Sequence, residues 1–186
     1  LVEGQMDVIA CHQVGMKNVV AVSGTALTAE QAKLLKRYSQ NIAVAFDADS
    51  AGQNAAKRGI GIALQEGLNT KVIQAPKDAG KDADECIRKD KVVWFKAVGE
   101  AVNFMDWYFA AILADVNLSD ARQKQKAAEI LLTEIKHLTY AIERDHWIKV
   151  LADKLNTDSG ALREELRRLS TKNEISPKRQ ILSAPE

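Results

Sequence analysis

The period of the apolar positions changes partway along the chain. Up to about residue 90, short apolar runs alternate with helical patterns; from Asn103 onward only helical periodicity remains. Leu1-Val2-Glu3-Gly4 reads as the end of a buried strand and the turn that follows it. Asp7–Val14 reads as a helix stopped by Gly15. The β-branched run Asn18–Val22 predicts a buried strand, and Ser23-Gly24-Thr25 a turn. Thr28 should cap a helix over Ala29–Tyr38, with Gln31 as its capping-box partner. Asn41–Asp47 predicts a strand, Ser50–Glu66 a helix ended by Gly67, and Thr70–Gln74 a further strand. This alternation predicts parallel βα units. Parallel strands are covered on both faces, which accounts for runs that are apolar throughout.

After Pro76 the pattern turns helical. Two helical stretches are expected over Asp82–Lys89 and Lys91–Glu100. Asn103–Asp115, Ser119–Leu138, Ile142–Leu155 and Ser159–Leu169 each place apolar residues three or four apart. In the third, Ile142, Trp147, Ile148, Leu151 and Leu155 are assigned to one stripe, and Asn117, Ser119 and Thr157 to caps or turns. Thr171–Glu186 holds two of the three prolines and few large apolar residues, as a linker or tail would. The expected organisation is an α/β unit over 1–90, a helical bundle over 91–170 and a tail over 171–186. Because strands usually run about 5–6 residues, Leu1–Glu3 is expected to continue a strand whose beginning lies upstream in a longer natural chain.

Composition narrows the function classes more than the fold. Of 186 residues, 46% are hydrophobic and 27% charged, ample for a core. A net charge of +1 argues against a chain that holds a polyanion by itself. Cys11 and Cys86 make neither a CxxC pair nor a zinc ligand set, and read as reduced thiols of a cytoplasmic protein. No apolar run approaches the roughly 18 residues of a membrane span, so no membrane partner is expected.

The candidate chemistry lies at strand ends. Ligands of a parallel sheet bind beyond the carboxyl ends of its strands. Glu3 closes the first strand and Asp47 the Asn41–Asp47 strand, so they share a rim if those strands are neighbours. Asp47-Ala48-Asp49 has period two, which in extended chain turns both carboxylates to one side. Asp7 falls in the first turn of the helix after Gly4. Asp78-Ala79-Gly80-Lys81-Asp82-Ala83-Asp84-Glu85 follows the Thr70–Gln74 strand, and Asp82 and Asp84 repeat the period-two spacing. Gathering so many carboxylates is costly unless a cation compensates or one is protonated. An all-oxygen donor set selects magnesium or manganese over zinc or copper. Taken singly, each motif has a plainer reading: DxD as a solvated turn, Asp7 as a capping residue, Asp82-Ala83-Asp84-Glu85 as an acidic helix start. Three acidic clusters that follow three of the predicted strands, in order on one rim, outweigh those separate readings.

Four motifs together resemble the Toprim module of the bacterial DnaG-type DNA primases. They are Glu3-Gly4-Gln5-Met6-Asp7-Val8-Ile9, Ser23-Gly24-Thr25-Ala26-Leu27-Thr28, Phe46-Asp47-Ala48-Asp49-Ser50-Ala51-Gly52 and Gly80-Lys81-Asp82-Ala83-Asp84-Glu85. The family usually has an aromatic residue where Gln5 stands and a proline where Ala83 stands. Leu162-Arg163-Glu164-Glu165-Leu166 is similar to a late motif of the helical subdomain that follows. The resemblance implies a Toprim fold, a Rossmann-like and mostly parallel sheet, followed by an all-α bundle. It implies that Glu3, Asp47 and Asp49 are catalytic and the principal metal ligands, with Asp7, Asp82 and Asp84 as further metal-binding acidic partners in the same site. It further implies synthesis of short RNA primers from ribonucleoside triphosphates on a single-stranded DNA template during replication. A zinc-binding domain and a basic subdomain would precede Leu1, and a domain contacting the replicative helicase would follow the tail.

The competing readings are another Toprim enzyme, a topoisomerase or nuclease, and a non-catalytic interaction module with acidic surface clusters. Ser23, Thr25 and Thr28 fit turn and capping roles. Lys57, Arg58, Arg122, Lys124 and Lys126 fit solvated helix faces. Trp94, Phe104, Trp107, Tyr108, Phe109 and Trp147 fit a core rather than base stacking. His12, His137 and His146 have no partners at ligand spacing. With the template-contacting parts absent, these 186 residues alone are expected to be inactive; robust primer synthesis by them on single-stranded DNA would overturn that expectation.

Overall fold

A computed structural model describes residues 1–24, 26–45, 59–76 and 78–174, with side chains to Leu169. The first three residues lie between two other segments. Val2 donates its N–H to the Val20 carbonyl (3.0 Å), and its own carbonyl accepts from Val22 N–H (3.1 Å). On the other side the Leu1 nitrogen donates to the Ala43 carbonyl (2.6 Å), and Ala45 N–H donates to the Leu1 carbonyl (2.9 Å). Donating to one residue and accepting from the residue two further on is the parallel pattern. Val2 and Ala21 form a parallel bridge.

The sheet continues outward. Strand β1 (Asn41–Val44) pairs in parallel with β2 (Asn69–Val72), Asn41 opposite Asn69. β2 pairs antiparallel with β3 (Val102–Asn103), Val72 opposite Val102. Side chains alternate between the two faces. Val2, Ala21, Ala45 and Ile73 pack toward α1 (Gln5–Gln13) and α4 (Ala83–Gly99), with Cys11, Cys86 and Trp94. Leu1, Ile42, Val44 and Val72 pack toward α2 (Ala29–Lys36), the helical segment 59–65 (α3) and the helices that follow β3. Burial pushes the thiols of Cys11 and Cys86 up, keeping them protonated.

Local signals account for most helix ends. Thr28 Oγ1 accepts from Gln31 N–H (3.2 Å) while Gln31 Oε1 accepts from Thr28 N–H (3.0 Å), the reciprocal capping box the sequence predicts. Gly15 takes φ +91°, closing α1 through a turn that L-residues with a Cβ disfavour. Within α4, Asp90 is extended (φ −157°, ψ 107°) and its Oδ1 accepts from Val92 N–H (2.8 Å). One helix therefore stops at Lys89 and a second starts, matching the two predicted stretches.

The helical part comprises α5 (Phe104–Leu113), α6 (Ala121–His137), α7 (Ala141–Leu155) and α8 (Ser159–Glu174). One core joins Val44, Ile60 and Leu64 to Phe104, Phe109, Leu131, Ile135, Leu151 and Leu162. Each large apolar side chain there contributes roughly 1.5–3 kcal/mol of burial. Arg163, inside the LREEL motif, bridges α8 to α7 by donating to Asp145 (2.6 Å).

Several details differ from expectation. β3 was not foreseen, and Asn103, expected to be helical, ends β3 and caps α5 by accepting from Met105 N–H (2.8 Å). α8 runs past Leu169 to Glu174. Ile142 is 87% exposed, whereas Trp147, Ile148, Leu151 and Leu155 are buried. Nine residues from Leu151 is half a turn out of phase at 3.6 residues per turn, so Ile142 does not share their stripe. Trp107 is half-buried; the other five candidate core aromatics are buried. Among the described residues no helix is long and apolar enough to cross a membrane.

The bundle also grips α3 directly. Thr139, between α6 and α7, directs its hydroxyl to the Leu64 and Gln65 carbonyls (3.0 Å each). Thr139→Val keeps the shape and removes the donor. It should lower stability by about 0.5–1 kcal/mol, read as a shift in the urea midpoint; an unchanged midpoint would show that the contact does not hold α3.

Candidate metal centre

Glu3 ends the strand that lies between the 20–23 segment and β1, and its carbonyl accepts from Ser23 N–H (3.0 Å). The chain then turns at Gly4, the residue that caps α1. Asp7, in the first turn of α1, is 6% exposed. Its Oδ2 accepts from Gly4 N–H (3.0 Å) and its Oδ1 from Asp84 N–H (3.1 Å), 77 residues away in sequence. A Cβ on Gly4 would lie 3.3 Å from Asp7 Oδ2, so the glycine fits closely against that carboxylate.

The third acidic cluster forms the start of α4. Asp82 is its N-cap and Oδ1 accepts from Glu85 N–H (2.8 Å). Glu85 Oε2 accepts from Lys81 N–H (3.1 Å). Asp84 Oδ1 accepts from Arg88 Nε (2.9 Å). Asp82 and Asp84, which the spacing pairs, thus have different local partners; the Asp82-x-x-Glu85 spacing is the capping signal that separates them. Gly80 holds φ +139°, and a Cβ there would fall 2.7 Å from Glu85 Cβ and 2.9 Å from the Cys86 nitrogen.

The structure therefore joins the Glu3-Gly4 turn, Asp7 and the Asp82–Glu85 turn, and the first turns of α1 and α4 meet at Asp7. The positive ends of the two helix dipoles favour negative charge there. Asp47 and Asp49 lie outside the described residues, as do Thr25, Lys57 and Arg58. Among the described residues alone, no three acidic, histidine or cysteine side chains are disposed to hold a metal ion. Ser23 (φ +55°) and Thr28 serve a turn and a cap. Among the histidines, His137 Nδ1 faces Glu134 (3.3 Å), a carboxylate only 4% exposed that the sequence reading did not single out. Its place on the apolar stripe of α6, between Leu131 and Ile135 and their neighbours, was the available signal.

Comparison with known proteins adds to this geometry. Residues 1–87 match the family described as Toprim-like, and residues 105–160 the family described as the DnaB-helicase binding domain of primase. The DNA primase of Clostridium acetobutylicum is 42% identical over 155 residues, covering 83% of this chain and 26% of that protein. The DNA primase of Halalkalibacterium halodurans is 33% identical over 182 residues, covering 95% of this chain and 30% of that protein. The chain belongs to the bacterial DnaG-type primases. It spans about a quarter to a third of the length of these relatives. A solved structure of the DnaG primase catalytic domain bound to single-stranded DNA is 28% identical, with a TM-score of 0.74 over 87% of this chain and 52% of that one. The fold expectation, Toprim followed by helices, agrees with these DnaG catalytic-core structures.

Two substitutions probe the α4 turn that this family carries. Gly80→Ala should cost more than about 1 kcal/mol, because it adds a Cβ into backbone at a positive φ. Asp82→Ala should cost about 1 kcal/mol through the lost cap. Thermal unfolding reads both; a Gly80→Ala midpoint equal to wild type would contradict the packing.

Proposed function

We propose that the chain is the metal-binding part of a primase that makes short RNA primers on single-stranded DNA for replication in the cytoplasm. The observation that carries this reading is the position of Glu3. It ends a strand flanked by parallel neighbours, beside two helix N-termini, in a chain that belongs to the DnaG-type primases. Ala45, hydrogen-bonded to Leu1, precedes Asp47 by two residues in sequence. Glu3, Asp47 and Asp49 would hold magnesium or manganese, with Asp7, Asp82 and Asp84 as acidic partners around them. The donor set is oxygen throughout, which fits a hard cation. Such an ion supplies charge for the triphosphate and favours attack by a ribose hydroxyl with loss of pyrophosphate.

The chain's own contribution is positional. The sheet rim presents Glu3, and backbone N–H groups of α1 and α4 balance the neighbouring carboxylates. The template reading draws on the solved DnaG catalytic domain that is bound to single-stranded DNA. A replicative helicase is the proposed protein partner. The expectation set that contact beyond the tail; the match of 105–160 to a helicase-binding family adds support within α5–α8.

Magnesium or manganese titration tests the site. Asp47→Asn combined with Asp49→Asn should abolish binding, and binding that survives would sink the ligand assignment. A longer chain that includes upstream residues should make primers from ribonucleoside triphosphates. If it relaxed or cut DNA instead, a topoisomerase or nuclease would be the better reading.

A further inference from the structure

We infer that Asp7 is a positioning residue for the metal site: it fixes the Glu3-Gly4 turn relative to the acidic start of α4 through two backbone amides, and does not ligate the ion itself. The inference rests on the proposed metal site and refines the part Asp7 plays in it.

The geometry assigns both oxygens of this carboxylate. Oδ2 takes the Gly4 N–H and Oδ1 the Asp84 N–H, at 3.0 and 3.1 Å, with the side chain almost wholly buried. Each amide belongs to the N-terminal end of a helix, where N–H groups lack intrahelical acceptors. One carboxylate thus satisfies a donor from α1 and a donor from α4. A buried carboxylate left without donors would be costly, so these two bonds also hold Asp7 where it is. Gly4 is bonded directly to Glu3, and Asp84 neighbours the capping Asp82–Glu85 turn. Fixing the two amides therefore fixes the spacing between the end of the first strand and the acidic cluster after β2. With each oxygen already aimed at an amide and the side chain 6% exposed, rotating the carboxylate toward an ion would misalign both bonds at once.

Asp7→Asn leaves one acceptor and sets an NH2 group against the other backbone donor. In metal-free protein, hydrogen exchange at the Gly4 and Asp84 amides should rise about tenfold or more in this variant. In the wild type, saturating magnesium should leave both amides protected, a measurement that needs no variant. Manganese binding by Asp7→Asn should weaken about tenfold with the number of bound ions unchanged. Thr139→Val, which loosens the fold away from the site, should leave manganese affinity unchanged. Loss of a bound ion in Asp7→Asn, deprotection of the Gly4 or Asp84 amide by magnesium, or unchanged manganese affinity would each overturn the inference. Absence of manganese binding by the wild type would count against the metal site. Undiminished amide protection in metal-free Asp7→Asn would count against Asp7 alone, so the two failures are distinguishable.

Discussion

Parallel pairing obliges neighbouring strands to leave the sheet by the same rim, and the rest of this structure depends on that constraint. The Leu1–Glu3 segment sits between the 20–23 segment and β1, parallel to both. β1 is in turn parallel to β2. Glu3 therefore emerges beside the turn at Ser23, and the chain leaving β2 leads on the same side to Gly80 and the start of α4. An antiparallel neighbour would have sent one of these ends to the far edge of the sheet. β3 is antiparallel and two residues long, and none of the candidate acidic residues lies on it.

Convergence of acidic residues on one rim raises an electrostatic problem that the fold partly solves without a cation. Helices α1 and α4 start at the rim, so their unsatisfied N–H groups and positive dipole ends face the carboxylates. Asp7 takes one N–H from each helix, Asp82 caps α4, and Asp84 is paired with Arg88. These three have neutralising partners in the protein itself.

Much of this was legible in the sequence because it is encoded locally. Thr28 and Gln31 form their box, Gly15 ends α1, and the break at Asp90 falls between the two predicted stretches, because caps and stops depend on a few neighbouring residues. Of the parallel strands β1 was legible as an apolar run, whereas β2 (Asn69-Thr70-Lys71-Val72) has Asn69 and Lys71 polar and exposed and was legible only from its place between turns. What was not legible depends on partners distant in sequence. β3 has two residues, too few for any period to register, and exists because β2 offers it an edge. The Asp7–Asp84 bond spans 77 residues, so spacing could group the two acids but could not distinguish a clamp from a ligand. Ile142 is the opposite case: its phase, half a turn from Leu151, is readable from the sequence itself and places it on the exposed face.

The relation between the bundle and the sheet follows from the core rather than from the family boundaries. The two matched families end and begin at 87 and 105, yet no gap in packing falls there. Val44 of β1 and Ile60 and Leu64 of α3 are buried among Phe104, Leu131, Ile135 and Leu162, and β3 completes the sheet just before α5. Removing the bundle would uncover the part of that sheet face, around Val44 and Val72, that α2 and α3 do not cover. Close-packed interiors transmit displacement poorly as gradual deformation and better as rigid shifts of whole elements. Thr139 and the close approach of His137 to Gly61 fasten α3 to the end of α6, so sheet, α3 and bundle pack as one body.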